Sequence, residues 1–304
     1  MPIPEPTDPV QEESAKRRRQ KEQALAKLTS LTGQGLPLKR HVFFVPGWAG
    51  EEGQAWRGYD KPVLKGHAPV KMWIEKIVQN ADKVSYVSYL DFSPQESQAS
   101  KSFLDFAEIL KAKVREKVEE NEPVDLIGHS MGGLDIVAAI TQGEDALTNV
   151  QNCVTVASPL RGIAYDRFVK EVDRLLPSIH WEPYHYVQVK SMDHHAAAID
   201  KINALENRVK LLQHVQAFYQ LEGTQDMTVM RNARLRTDGL PDAVKQKITQ
   251  LVIEGASHSG ASGITHDPRT VLYLISIIAD IPIEKPTLNY GYVYVRKADA
   301  SSKM

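Results

Sequence analysis

The chain has 304 residues, 42% of them hydrophobic, which is enough to bury a substantial core in one large domain or two small ones. A formal net charge of −1 excludes a strong overall attraction to nucleic acid, and a single cysteine excludes an intramolecular disulfide. The sequence has no apolar run of membrane-spanning length and no apolar signal-peptide core near its N-terminus. These features predict a cytoplasmic protein without a transmembrane segment or a nucleic-acid partner, and they leave peripheral contact with a membrane open.

The first part of the chain differs in composition from the rest. Residues 1–38 are rich in proline and then in charge, and we expect a flexible or helical extension there, followed by a folded domain over residues 39–304. The basic run KRRRQK in this extension is typical of a patch for nucleic acid or anionic lipid. Because Glu12, Glu13 and Glu22 flank the run, a solvated tail or an exposed helix is the favoured interpretation.

From His41 onward, strand-like and helical segments alternate. The predicted strands are HVFFVPG, KVSYVSYLDF, PVDLIG, NCVTVAS, VQAFYQLEG and KITQLVIEG. The predicted helices are MWIEKIVQNA, SFLDFAEILKAKVREKVEEN, the segment after Ser130, and PRTVLYLISIIAD. Alternation of this kind, with continuously apolar strands, predicts an α/β fold with a mostly parallel central sheet and helices on both faces.

Residues 160–213 interrupt that alternation. They contain no clear strand but two stretches with helical apolar spacing, so we expect a helical insertion. The apolar residues are Phe168, Val172 and Leu175 in the first stretch, and Ile199, Ile202, Leu205 and Val209 in the second. The insertion is predicted to form a lid over an acyl pocket, and the alternative is that its helices pack on the edge of the sheet.

A cramped turn separates the strand PVDLIG from the helix that follows it. Gly128-His129-Ser130-Met131-Gly132 fits the Gly-x-Ser-x-Gly pattern of a strand-to-helix turn that lifts a serine oxygen above the edge of a sheet. The serine backbone is strained in such a turn, and the flanking positions must lack bulk where strand and helix approach each other. The pattern therefore predicts that Ser130 is a catalytic nucleophile.

Two backbone amides are candidates for an oxyanion hole. The amide of Met131 comes at the start of the helix after Ser130, where it can bind a negative oxygen that forms on a substrate carbonyl. The second candidate is the amide of Trp48, which follows the strand and the Pro46-Gly47 turn in FFVPGWAG.

The acid and the base are expected to follow the serine in the chain, with the acid first. Asp226, just past the strand VQAFYQLEG, is the predicted acid, and Asp238 in RTDGL is its alternative. His258, in a loop of small residues after KITQLVIEG, is the predicted base. His266 in GITHDPRT is the alternative base, with capping of the next helix as its other interpretation.

Five segments together resemble serine hydrolases of the α/β-hydrolase superfamily, in the lipase and esterase branch. They are FFVPGWAG, LIGHSMGGLDIVAA, VTVASPLRGI, LEGTQDMTV and VIEGASHSG, and the resemblance extends over residues 41–280. It implies an α/β-hydrolase fold and hydrolysis of a small-molecule or lipid ester through an acyl-enzyme, without a metal or other cofactor. A thioesterase, an amidase and a catalytically silent binding protein with the same fold are the alternatives.

Overall fold

The computed structural model describes residues 9–47, 70–88, 101–175, 183–229, 234–258, 263–282 and 296–297. The strands are β1 His41–Val45, β2 Val84–Tyr86, β3 Val124–His129, β4 Val150–Val156, β5 Val215–Gly223, β6 Ile248–Ile253 and β7 Arg296–Lys297. The α-helices are α1 Pro9–Leu31, α2 Val70–Ile77, α3 Phe103–Lys117, α4 Met131–Thr141, α5 Tyr165–Leu175, α6 Pro183–Ser191, α7 Ala197–Asn203, α8 Leu205–His214, α9 Asp242–Lys245 and α10 Pro268–Ile278. None of the helices in these ranges combines the length and the apolar character needed to cross a bilayer.

The described strands form one sheet in the order β2-β1-β3-β4-β5-β6-β7. The first six strands are parallel to their neighbours, and β7 pairs antiparallel with β6. Every residue of β3 is buried, as expected for a central parallel strand that is covered on both faces. The predicted α/β architecture with a mostly parallel sheet is therefore confirmed, and β3, the third strand in this order, places Ser130 at the carboxyl edge of the sheet.

Helices cover both faces of the sheet, and each face has its own hydrophobic core. Successive side chains of a strand point to opposite faces, so Phe43 belongs to one core and its neighbour Phe44 to the other. The first core contains residues of α3, α4, α7 and α8, and the second contains residues of α1, α2 and α10. A serine at the end of β3 is thereby fixed between two packed layers.

The insertion between β4 and β5 consists of α5 to α8. Its second apolar stretch, predicted as one helical segment, forms two helices because Ala204 adopts an extended conformation, with φ −53° and ψ 141°. Ile199 and Ile202 are buried in the core that also contains residues of α4, whereas Leu205 is 44% exposed. These contacts place α7 and α8 in the helical layer that contains α4, on one face of the sheet. The side chains of Val172 and Leu175 lie outside the described residues, so a lid formed by α5 stays a prediction.

The N-terminal helix α1 packs against α10 on the face of the sheet that carries the second hydrophobic core. Its inward residues recur at helical spacing, and they are Gln20, Ala24, Leu28 and Leu31. The expectation of an exposed helix or a solvated tail is therefore wrong for this face of α1. The apolar part of the stripe explains the error, because it begins only after the charged run that dominates the composition.

Part of the basic run in α1 is bound within the protein. Arg17 Nη2 lies 3.3 Å from Glu254 Oε1, and Lys21 Nζ lies 3.2 Å from Asp267 Oδ2. The carboxylate of Asp267 is fully buried and caps the N-terminus of α10. Arg18, in contrast, keeps a side chain that is 77% exposed. Two ion pairs thus connect α1 to the segment that follows β6.

Candidate active site

Ser130 lies in the sharp turn between β3 and α4. Its backbone angles are φ 55° and ψ −125°, in a region that side chains other than glycine rarely occupy. The Ser130 amide donates to the carbonyl oxygen of Val156 at the end of β4, at 3.0 Å. This conformation directs the serine hydroxyl, which is buried, toward the carboxyl edge of the sheet, as the Gly-x-Ser-x-Gly pattern indicates.

The glycines around Ser130 are required by contact between backbones. A Cβ atom on Gly128 would lie 2.5 Å from the carbonyl group of Gly132, and one on Gly132 would lie 2.3 Å from the carbonyl oxygen of Pro46. A Cβ atom on Gly47 would lie 2.8 Å from the Cβ of Ser130. The turn before α4 and the loop after β1 therefore approach each other more closely than any side chain allows.

Replacing Gly132 with alanine should destabilise this turn strongly. The new methyl group would meet two backbone oxygens, at 2.3 Å and 2.6 Å, and neither can rotate away. We expect the free energy of unfolding to fall by about 2–3 kcal/mol or more, measured by urea denaturation. Gly33→Ala is the matched control, because its methyl group would meet nothing within 4 Å and only the φ of +77° is unfavourable, at about 1–2 kcal/mol. Equal losses in the two variants would contradict the steric explanation.

Asp226 and His258 follow the ends of β5 and β6, and the structure brings both to Ser130. His258 Nε2 lies 3.0 Å from Ser130 Oγ, and His258 Nδ1 lies 2.9 Å from Asp226 Oδ2. The three side chains come from separate parts of the sequence, and the serine and the histidine are 128 positions apart. Because the carboxyl ends of parallel strands meet at one edge of a sheet, the strand order β3-β4-β5-β6 accounts for their convergence.

The carboxylate of Asp226 is held in its ionised form although it is buried. Burial is the largest influence and raises its pKa, but the charge and the hydrogen bond of His258 and the backbone amide of Val229 outweigh burial, so the net pKa lies below the usual range. Asp226 Oδ1 accepts from the amides of Thr228 at 3.0 Å and Val229 at 2.9 Å. These two bonds leave Oδ2 directed at His258.

The two alternative residues lie in other surroundings. The carboxylate of Asp238 is 62% exposed and pairs with Arg236 at 3.0 Å. His266 ends a short 3₁₀ turn before α10, and its Nδ1 lies 3.1 Å from the hydroxyl oxygen of Thr265.

Met131 is the first residue of α4, where an amide has no acceptor within its own helix. Trp48 lies outside the described residues.

One residue of the site, His129, was not predicted from the sequence. His129 Nε2 lies 3.2 Å from the backbone carbonyl oxygen of His258. His129 occupies the free position before the serine in the Gly-x-Ser-x-Gly pattern, so no motif signal marks it. Within the described ranges, no cluster of three or more histidine, cysteine, aspartate or glutamate residues could hold a metal ion.

Comparison with known proteins places the chain in a family. Residues 55–229, more than half of the chain, match the model of the palmitoyl protein thioesterase family. No curated protein matches the chain in sequence. Among solved structures, phospholipase PlaB from Legionella pneumophila has a TM-score of 0.55 at 16% identity, over 78% of this chain and 59% of the phospholipase. Monoacylglycerol lipase from Paleococcus ferrophilus has a TM-score of 0.51 at 14% identity, over 81% of this chain and 96% of the lipase.

At this level of identity, the two structural matches show that the chain has the same fold, the α/β-hydrolase fold. The chain spans less than two thirds of the length of the Legionella phospholipase. The family match is broader evidence, because it includes the turn around Ser130 and extends to Asp226 and the residues just after it. The chain belongs to the palmitoyl protein thioesterase family of the α/β-hydrolase superfamily.

Proposed function

We propose that the protein is a serine hydrolase that cleaves carboxylic esters through an acyl-enzyme, with Ser130 as nucleophile, His258 as base and Asp226 as acid. The observation that carries this proposal is the pair of distances at His258, 3.0 Å to Ser130 Oγ and 2.9 Å to Asp226 Oδ2. Both lie within hydrogen-bonding reach, which proton transfer from the serine requires.

In the first step, Ser130 Oγ attacks the substrate carbonyl while His258 Nε2 takes the hydroxyl proton. His258 Nδ1–H donates to Asp226 Oδ2, so the carboxylate fixes the tautomer and stabilises the imidazolium that forms. The amides of Met131 and Trp48 are proposed to bind the oxyanion. The imidazolium then protonates the leaving group, and in the second step a water molecule, deprotonated by His258, releases the acyl chain from Ser130.

Two classes of substrate are compatible with this chemistry. The lipase-like sequence segments favour oxygen esters, and the match to the palmitoyl protein thioesterase family favours thioesters of a long acyl chain. The same three side chains serve both reactions, since the carbonyl attacked is the same and only the leaving atom differs. We propose a long acyl chain in either case and give the thioester as the second candidate. A long acyl chain partitions into lipid, so we also propose peripheral contact with a lipid surface by a cytoplasmic protein.

Matched substrates should separate these candidates. p-Nitrophenyl esters from acetyl to palmitoyl, and thioesters with the same acyl groups, give kcat/KM for both leaving atoms. Each methylene group buried contributes about 0.8 kcal/mol, so burying even two of the eight extra methylene groups of decanoyl would raise kcat/KM over acetyl by about tenfold, and we expect at least that increase. A kcat/KM that is higher for the thioesters than for the oxygen esters with the same acyl groups favours a thioesterase. Hydrolysis of the corresponding anilides favours an amidase.

A catalytically silent protein would give a different result. It would hydrolyse no member of either series and would not react with a fluorophosphonate probe, and that outcome would contradict the proposed function.

A further inference from the structure

The side chain of His129 lies between the nucleophile turn and the base. Its Nε2 is 3.2 Å from the carbonyl oxygen of His258, and the two imidazole rings have centroids 5.0 Å apart with planes inclined by 38°. A carbonyl oxygen can only accept a hydrogen bond, so Nε2 of His129 carries the proton and donates. The residue next to the nucleophile thus holds the main chain of the base.

The surroundings of His129 keep its ring neutral and in place. Burial, the largest influence, and the charge of His258 lower its pKa to about 3, with a further small lowering by His266, against the opposing effects of the hydrogen bond to the His258 backbone and of Asp226. On its other side, a Cβ atom on Gly47 would lie 3.4 Å from Nδ1 of His129, so the backbone at Gly47 packs close to the ring. A neutral ring beside His258 does not oppose the positive charge that His258 takes up during the reaction.

Other contacts hold the residues just before the base. The amide of Gly255 donates to Thr224 Oγ1 at 2.8 Å, and the carbonyl oxygen of Ala256 accepts from the amide of Gln225 at 3.0 Å. The carbonyl oxygen of Ser257 accepts from the amide of Ile264 at 2.8 Å. These bonds restrain residues 255–257, whereas the bond from His129 is the one that the described residues make to the carbonyl group of His258.

We propose that His129 is a positioning residue, whose Nε2–H holds the carbonyl group of His258 so that the imidazole of the base stays within hydrogen-bonding distance of Ser130 Oγ. This inference rests on the proposed function, because it assigns His258 the role of base. His129 does not touch the reacting atoms and acts through the backbone of its partner. A small displacement of the base lengthens the path of the proton and slows acylation without changing how the acyl chain binds.

Two substitutions of His129 separate its hydrogen bond from its shape. His129→Phe keeps a ring but has no donor, and His129→Gln keeps an amide donor at about the position of Nε2. With p-nitrophenyl octanoate we expect His129→Phe to lower kcat by about 10–100-fold, with KM within about twofold of wild type. We expect His129→Gln to retain kcat within about threefold, and the rate of inactivation by a fluorophosphonate probe to follow kcat.

His214 offers a matched control, because its Nδ1 also donates to a backbone carbonyl, that of Ile140, at 3.3 Å. His214→Phe and His214→Gln should differ little from each other in kcat. Unchanged kcat in His129→Phe would overturn the inference, and so would equal losses in His129→Phe and His129→Gln, because the donor would then not be the cause.

If His129→Phe fails to fold, His129→Asn takes its place, since its amide is too short to reach the carbonyl oxygen of His258. An asparagine variant as active as the glutamine variant would overturn the inference. Failure of the inference about His129 is distinct from failure of the proposed function, because the latter would appear as turnover by Ser130→Ala.

Discussion

Replacing Ser130 with alanine should abolish turnover while leaving the fold intact. The substitution removes the one oxygen that lies 3.0 Å from His258 Nε2, and no other atom of the serine can attack a carbonyl. In serine hydrolases the loss of the nucleophile lowers kcat by about 10⁶-fold, so we expect activity below detection with p-nitrophenyl octanoate and no labelling by a fluorophosphonate probe. The near-UV circular dichroism spectrum and the urea midpoint should stay close to those of wild type.

Ser130→Gly provides a control for the strain in the turn. It should be equally inactive, but glycine tolerates φ 55° without the contacts of a Cβ atom, so its free energy of unfolding should exceed that of Ser130→Ala by about 1 kcal/mol. Wild-type rates in either variant would show that Ser130 is not the nucleophile and would remove the basis of the proposed function.

Replacing Asp226 with asparagine should lower kcat by about 10⁴-fold with little change in the fold. The amides of Thr228 and Val229 bind Oδ1, so the oxygen of the new side chain stays there and its NH₂ group faces His258. An NH₂ group can only donate, which forces the proton of the imidazole onto Nε2, the nitrogen that must accept from Ser130. The base is then in the wrong tautomer before the reaction begins.

Asp238→Asn is the comparison for this result. The substitution breaks an ion pair with Arg236 at the surface, where such pairs contribute about 0–1 kcal/mol, and we expect kcat within about twofold of wild type. A large loss of kcat in Asp238→Asn with little loss in Asp226→Asn would transfer the role of the acid to Asp238.

The fold was predictable where a pattern is repeated along the chain. Runs such as HVFFV and VDLIGH place apolar residues on both faces of the strand, so their assignment to buried parallel strands did not depend on distant residues. The break at Ala204 was not predictable, because the apolar spacing continues through it and neither proline nor glycine marks it. The strand β7 was missed for another reason, since two residues carry no periodicity.

The candidate site was predictable to the extent that its chemistry restricts residue type and order. Ser130 lies in a motif whose glycines are explained by the backbone contacts of Gly128 and Gly132. Asp226 and His258 were placed by their positions after strands, which the parallel sheet then brings together. The contact of His129 had no such signal, because a bond to a backbone carbonyl depends on the folded path of the chain.

The helix α1 has a consequence for how relatives of this chain can differ from it. Both α1 and the segment that carries His258 lie outside residues 55–229, the part that matches the family model. They are nevertheless bound to each other, through Arg17 with Glu254 and Lys21 with Asp267. Substitutions on one side of this contact should therefore be inherited together with compensating substitutions on the other. A relative that has lost the helix should also have lost the carboxylate at the position of Glu254.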